Sequence, residues 1–152
     1  MITYEVELVD LQAQPVAVVR GHVTQDNIPA FLGRAFAEVL QALADQEVAP
    51  AGPPFGRFVP ADDGFDVEAG FPAATAVRPS GQVESCQLPA GPAARVVHRG
   101  DYAGVAAAYE AEARWVASHG YVSTEPPWES YLDEPEVAEP RTVVYLPCRR
   151  SE

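Results

Sequence analysis

The chain has 152 residues, 47% hydrophobic and 21% charged, which is the composition of one globular domain with its own core. Its 10 Lys and Arg residues against 22 Asp and Glu residues give a formal net charge of −12, which argues against direct nucleic-acid and membrane partners. Apolar runs are short and the first ten positions already carry acids, so we expect no spanning helix, no secretory signal and a cytoplasmic location.

The cysteines and histidines give no sign of a metal site. Cys86 and Cys148 lie far apart without CxxC spacing, and His22, His98 and His119 form no zinc-ligand pattern. We expect both cysteines to be reduced and structural, although two thiols can pair. We expect no metal and no cofactor.

The first part of the chain combines strands with one long helix. Strand patterns cover residues 4–11, 16–23, 55–59 and 65–71. Apolar residues recur at helical spacing from Ile28 to Leu43, which predicts an amphipathic helix capped by Asp26 or Asn27. The turn Asp62-Asp63-Gly64 between the last two strands predicts a hairpin.

The second part has the same order of elements after a linker at residues 78–81. Strand patterns cover residues 83–88, 94–99, the stretch that begins at Trp128, and 142–146. A helix is predicted from about residue 102 to 119, with Asp101 as its cap and Gly120 as its stop. Its apolar stripe is predicted to consist of Val105, Tyr109, Ala113 and Val116.

The two parts also correspond in sequence, which indicates a repeat. The matching stretches are Val18-Val19-Arg20-Gly21 with Val97-His98-Arg99-Gly100, Pro53-Pro54-Phe55-Gly56-Arg57-Phe58 with Pro126-Pro127-Trp128-Glu129-Ser130-Tyr131, and Gly70-Phe71-Pro72 with Tyr145-Leu146-Pro147. We therefore predict an α+β fold of tandem duplicated strand–helix–strand–strand units with pseudo-twofold symmetry, in which two main helices cover antiparallel sheets. The chain is predicted to be a single domain, residues 1–152, with repeat halves at about 1–78 and 82–148.

The repeat singles out Glu129. Alternation along its strand places Glu129 and Tyr131 on one face and Trp128 on the other. The first half has Gly56 at the position of Glu129 and Phe58 at that of Tyr131, so one half offers an acid where the other leaves room. A groove between the halves, with aromatic walls and one carboxylate, suits a flat aromatic cation.

Several motifs along nearly the whole chain occur together. They are the Arg-Gly before each helix, Tyr102…Tyr109…Trp115-Val116, Pro-Pro-Trp-Glu-Ser-Tyr-Leu followed by Asp133-Glu134-Pro135, and Val144-Tyr145-Leu146-Pro147. With the doubled pattern, they resemble the GyrI-like small-molecule-binding domain. In that family the domain is the effector-binding part of multidrug-responsive regulators of the MerR and AraC types, and it also occurs alone, as in a gyrase-inhibitory protein. This chain shows no helix-turn-helix segment, so the resemblance is to the stand-alone form.

The resemblance implies a site for lipophilic, often cationic aromatic molecules, in which the acid matching Glu129 meets the ligand. The further candidate ligand-binding residues are Tyr131, Phe58, Gly56, Trp128, Tyr145, Tyr109 and Glu112. Glu112 stands where an apolar helix residue is usual, so it is either a second acid of the pocket or an exposed side chain. The sequence favours exposure. His98 is interpreted as a strand-end residue, because no nucleophile motif accompanies it.

Three functions of different classes follow. The first is a module that binds hydrophobic cations, for sensing or sequestering them, which the acid among aromatic residues favours. The second is a hydrolase that opens cyclopropane rings of DNA-alkylating natural products, as in some stand-alone members that the chain resembles, with Glu129 orienting or activating water and Glu112 as a second acid. The third is contact with a separate protein partner, which only the acidic surface supports. Whether the chain is an enzyme stays open, because one pocket serves the first two functions.

Overall fold

The secondary structure is that of a computed structural model, which describes residues 4–134 and 136–151; Pro135 lies outside the described residues. In chain order the elements are β1 (Glu7–Leu11), β2 (Gln14–Val23), α1 (Ile28–Asp45), β3 (Phe55–Ala61), β4 (Gly64–Pro72), β5 (Glu84–Leu88), β6 (Gly91–Arg99), α2 (Val105–Ser118), β7 (Tyr121–Ser123), β8 (Trp128–Tyr131) and β9 (Arg141–Arg150). Every strand pairing described below is antiparallel. The predicted α+β class is confirmed.

The chain divides into two compact units, of which one, the mid-chain unit, is Ala13–Leu88. Its strands lie in the order β3-β4-β2-β5, and α1 packs on β2 and β4. The apolar stripe of α1, with Phe31, Val39 and Leu43 buried, meets alternate residues of β2 and β4 and forms the core of this unit. Residues Asp62 and Asp63 form the two-residue loop of the predicted hairpin, in which Ala61 is paired with Gly64.

The terminal unit consists of the residues up to Gln12 and those from Pro89 onward. Its strands lie in the order β1-β6-β9-β8, and β7 pairs with the last residues of β9. The helix α2 packs on β6, β7 and β9. Two apolar clusters fill this interface, one around Val96, Ala108 and Val144, the other around Ala94, Val116 and Cys148.

The two units have the same strand order, since β3-β4-β2-β5 of the mid-chain unit corresponds to β8-β9-β6-β1 of the terminal unit. In the mid-chain unit β5 flanks β2, and in the terminal unit β1 flanks β6. The unit boundaries therefore differ from the stretches 1–78 and 82–148, because β1 and β5 each pair with a strand that lies in the other predicted half. Trp128 of β8 is paired with Tyr145 of β9, and Phe55 of β3 is paired with Gly70 of β4. The next residues along β8 and β3, Glu129 and Gly56, therefore occupy corresponding positions in the two units.

Asn27 is the N-cap residue of α1, as predicted, and Asp101 is the N-cap residue of the short turn before α2. A 3-10 turn precedes each helix, at Gln25–Asn27 and Tyr102–Gly104, and neither Asn27 nor Asp101 caps a helix through its side chain. The amide of Asn27 donates instead to Thr24 Oγ1. The turns satisfy the first backbone groups locally, so no side-chain cap is required.

Three further findings concern the whole described chain. Cys86 and Cys148 are both free thiols. Within residues 4–134 and 136–151, no three His, Cys, Asp or Glu side chains come together in a group that could hold a metal ion. In the same residues, no helix combines the length and the apolar character that crossing a membrane requires.

Candidate functional site

Glu129 lies on the face of the terminal unit's sheet that α2 covers. It sits on β8 directly opposite Val144 of β9, and paired residues of neighbouring strands project their side chains to the same face. Val144 packs with Ala108 and Tyr109 of α2, so the carboxyl group enters the space between helix and sheet. The Glu129 side chain is 9% exposed. The alternation in the sequence predicted this shared face with Tyr131.

Both carboxylate oxygens of Glu129 accept a hydrogen bond from a phenol. The Tyr109 hydroxyl donates to Oε2 at 2.6 Å and the Tyr131 hydroxyl donates to Oε1 at 3.0 Å. The ring of Tyr102 meets the ring of Tyr131 edge to face, with centroids 5.6 Å apart and planes at 83°. We call Tyr102, Tyr109, Tyr131 and Glu129 the tyrosine cluster.

The electrostatics of the tyrosine cluster are dominated by burial. Burial raises the pKa of Glu129, against the opposing effects of the two phenol hydrogen bonds and of the nearby His98. Burial and the Glu129 charge both raise the pKa of Tyr109 and of Tyr131, so the two phenols remain protonated donors. Ionised Glu129 therefore receives hydrogen bonds from neutral groups but no full counter-charge from them.

Glu112 is buried, so the exposed position favoured from sequence is wrong. Its side chain is 1% exposed, and neither carboxyl oxygen has a hydrogen-bond partner among the described residues. It lies between Ala108 and Val116, which are buried on the same face of α2. Burial raises the pKa of Glu112 to about 9, so the group is neutral at pH 7. The predicted stripe is also shifted, since Ala113 is exposed.

A second residue with a buried, unpaired polar atom lies opposite Tyr131 on the neighbouring strand. Thr142 pairs with Tyr131 across β8 and β9, so the two side chains share the face that α2 covers. Thr142 is fully buried, and its Oγ1 has no hydrogen-bond partner within the described residues. Buried polar atoms normally find partners, so Glu112 and Thr142 both mark places where a ligand or water would complete the bonding.

His98 positions the turn that carries Tyr102. The imidazole is 3% exposed; its Nε2 lies 2.8 Å from the Asp101 carbonyl oxygen and its Nδ1 lies 2.9 Å from the Tyr4 hydroxyl. A carbonyl oxygen only accepts, so Nε2 carries a proton and donates to it. The ring also lies against Gly104, where an added Cβ would come within 3.1 Å of it. The sequence placed His98 at a strand end but gave no sign of these contacts.

The remaining candidates lie on the other face of the terminal unit's sheet or belong to the mid-chain unit. Trp128 and Tyr145 stack on each other, with centroids 5.4 Å apart, on the sheet face opposite to Glu129, where Arg95 lies 6.0 Å from the Tyr145 ring. Gly56 and Phe58 belong to β3 of the mid-chain unit. Phe58 packs edge to face with Phe65 there. Their part in ligand binding stays a prediction.

The chain belongs to the GyrI-like family, because the family model described as the GyrI-like small molecule binding domain matches residues 4–149. The resemblance found in the sequence is thereby confirmed. No curated protein matches the chain in sequence.

Solved structures share the fold at low sequence identity. The EcmrR C-terminal domain is 21% identical with a TM-score of 0.85, and the match covers 98% of this chain and 99% of that one. The EcmrR chain in the EcmrR–DNA complex is 22% identical to this protein, with a TM-score of 0.82. The match covers 97% of this protein but only 58% of that EcmrR chain.

Two further structures come from other proteins of the same fold. SAV2435 bound to tetraphenylphosphonium is 18% identical with a TM-score of 0.64, and the match covers 95% of this chain and 94% of that one. A hydrolase from Listeria innocua is 13% identical with a TM-score of 0.69, and the match covers 95% and 92%. At these identities the likeness shows the fold alone.

Proposed function

We propose that this domain binds lipophilic, cationic aromatic molecules and that Glu129 supplies the counter-charge. The observation that supports this proposal is a buried carboxylate whose two oxygens accept hydrogen bonds from the Tyr109 and Tyr131 hydroxyls. Neutral phenols orient the carboxylate without neutralising it. A cation placed beside it would supply the missing charge, and the nearby aromatic rings would add attraction through their faces.

The same arrangement favours cations over neutral molecules of equal shape. Burial disfavours the ionised form of Glu129, which is why its pKa is raised. A bound cation removes part of that penalty, whereas a neutral ligand leaves it in place and an anion adds repulsion. The net charge of −12 also favours the approach of cations at long range. The cation bound to SAV2435, tetraphenylphosphonium, has the chemistry expected here.

A matched pair of xanthene dyes tests this proposal. Rhodamine 6G is a cation and fluorescein an anion at neutral pH, and both carry the same three-ring core. Fluorescence titration should give micromolar affinity for rhodamine 6G, with fluorescein weaker by about tenfold or more, a difference of about 1.4 kcal/mol. Unlabelled tetraphenylphosphonium should displace the bound rhodamine. Equal affinity for both dyes would refute the role of charge.

A second candidate function is hydrolysis of strained cyclopropane rings, which two buried acids of the terminal unit support. Glu129 has a raised pKa, and Glu112 is a second buried acid, protonated at neutral pH, on the helix that carries Tyr109. A protonated carboxyl can act as a general acid, and a carboxyl with a raised pKa can act as a general base once it is ionised. In the reaction, water adds across the broken carbon–carbon bond, with its oxygen on one carbon and the proton delivered to the group that receives the electrons.

Product analysis separates the two functions. The protein would be incubated with a cyclopropane-bearing alkylating compound, and chromatography with mass detection would follow the addition of one water. Ring opening that Glu129→Gln abolishes and that the exposed-site control Glu110→Gln retains would establish the enzyme. If ring opening in wild type equals that in buffer, the domain only binds its ligands.

A further inference from the structure

The contacts of Glu112 in the terminal unit reveal no structural role for this side chain. It occupies a buried position on α2, and both carboxyl oxygens lack hydrogen-bond partners among the described residues. A buried polar group left without a hydrogen bond lowers stability, and an apolar side chain at this place would not carry that cost. Such a group therefore points to a ligand atom that completes its bonding.

Glu112 is also close to the tyrosine cluster. It follows Tyr109 by three residues on α2, and side chains at that spacing are neighbours on a helix surface. The Glu112 charge raises the pKa of the Tyr109 phenol, whose hydroxyl bonds Glu129. Tyr109 is thus a neighbour of both acids, since its hydroxyl is hydrogen-bonded to Glu129 and Glu112 follows it by three residues on the helix.

We propose that Glu112 is a second cationic subsite of the Glu129 pocket, so that the preferred ligands are elongated lipophilic dications whose binding releases a proton from Glu112. This inference rests on the proposed function, since Glu129 binds the first charge. Without ligand, burial keeps Glu112 protonated at neutral pH. A second positive centre makes the ionised form of Glu112 favourable.

The groups around Glu112 set the size of the effect. Tyr109 on its own helix and Cys148 on β9 are titratable groups that face it; burial is the main cause of the raised pKa of both, and the Glu112 charge adds to it. With a pKa of about 9, protonated Glu112 exceeds ionised Glu112 by about a hundredfold at pH 7. A second cationic centre must therefore favour the ionised form by about a hundredfold or more. Because binding releases a proton, the affinity for a dication should increase as pH increases. The increase should be up to about tenfold for each pH unit, until the pH reaches the Glu112 pKa.

Ethidium and propidium form a matched pair of probes. Both contain the same phenanthridinium ring, and propidium carries one additional quaternary ammonium on a short arm. Isothermal titration calorimetry at pH 7.5, in phosphate and in Tris, gives the number of protons released for each dye, because the two buffers differ in ionisation enthalpy. Ethidium reports any proton that Glu129 loses, and propidium should release about one proton more.

The variants assign that proton. In Glu112→Gln, the difference in proton release between propidium and ethidium should vanish, and the preference for propidium should fall. Glu110→Gln removes one exposed charge from the same helix and should keep the full difference. Glu112→Met, which is apolar and of similar volume, provides a second test if the glutamine variant does not fold.

The outcomes distinguish the inference from the proposed function. Ethidium binding that depends on Glu129, with equal proton release for both dyes, overturns the second subsite and leaves the proposed function intact. Additional proton release that persists in Glu112→Gln likewise overturns it, since the proton then comes from another group. If neither dye binds, the proposed function fails, and the subsite fails with it.

Discussion

The substitution Glu112→Gln should stabilise the fold in a way that depends on pH. An amide has nearly the shape of the protonated acid, so the substitution leaves packing and the buried polar atoms almost unchanged and removes only the titration. The unfolded chain loses the Glu112 proton near pH 4.5, whereas burial holds it to about pH 9 in the folded chain. Ionisation therefore favours the unfolded state, and the stability of the wild type falls as pH rises between those values.

The magnitude follows from the raised pKa. The 2.5 pH units between pH 4.5 and pH 7, at 1.36 kcal/mol each, correspond to about 3 kcal/mol in favour of the glutamine variant. With an m-value of about 2 kcal/mol/M, this moves the urea midpoint upward by about 1.5 M at pH 7. Near pH 4.5 the carboxyl is largely protonated in both states, so the two midpoints should nearly coincide.

The assay is urea unfolding, followed by tryptophan fluorescence, of wild type and variant at pH 4.5, 6 and 7. Glu110→Gln is the control, because its side chain is exposed on the same helix. A stability difference that stays constant across the pH series would contradict the reasoning, since it would come from packing and not from ionisation. A glutamine variant less stable than wild type at pH 7 would show that Glu112 is charged and compensated in the folded protein.

Three further substitutions probe the site and the sheet. Tyr109→Phe removes the hydroxyl that favours ionised Glu129, so the pH midpoint of rhodamine 6G binding should rise by about one unit, measured by titrations between pH 5 and 9. Gly56→Leu tests the predicted ligand-binding role of that buried glycine: a variant that stays folded in thermal unfolding should lose dye binding, and undiminished affinity would remove Gly56 from the candidates. Gly70→Ala should lower stability by about 1–3 kcal/mol in urea unfolding, because its Cβ would overlap the Ala17 carbonyl oxygen.

Local patterns predicted most of the elements. The stripe of α1 and the Asp62-Asp63-Gly64 hairpin are set by residues close in sequence, so periodicity and turn chemistry were sufficient. The pairing of β1 with β6 and of β5 with β2 depends on which edges are available in the folded chain, and no local pattern carries that information. The strand β7 has only three residues, too few to show alternation.

The site was predicted in part. Alternation placed Glu129 and Tyr131 on one face correctly, because strand geometry alone decides it. The buried face of α2 was misjudged, since a helix rich in alanine shows little contrast between its faces, and a glutamate was expected to face water. The approach of Tyr102 to Tyr131, and of His98 to Tyr4, joins segments distant in sequence, which only the folded structure reveals.

Titration of ethidium into wild type, Glu129→Gln and Glu110→Gln tests the central claim most directly. Glutamine keeps the volume of Glu129 and its hydrogen-bonding capacity and removes its charge. If that charge binds the cation, Glu129→Gln should weaken ethidium binding by roughly 1–3 kcal/mol, the range for a charge-assisted contact, whereas Glu110→Gln should bind as wild type does. A folded Glu129→Gln variant with wild-type affinity for ethidium would contradict the account.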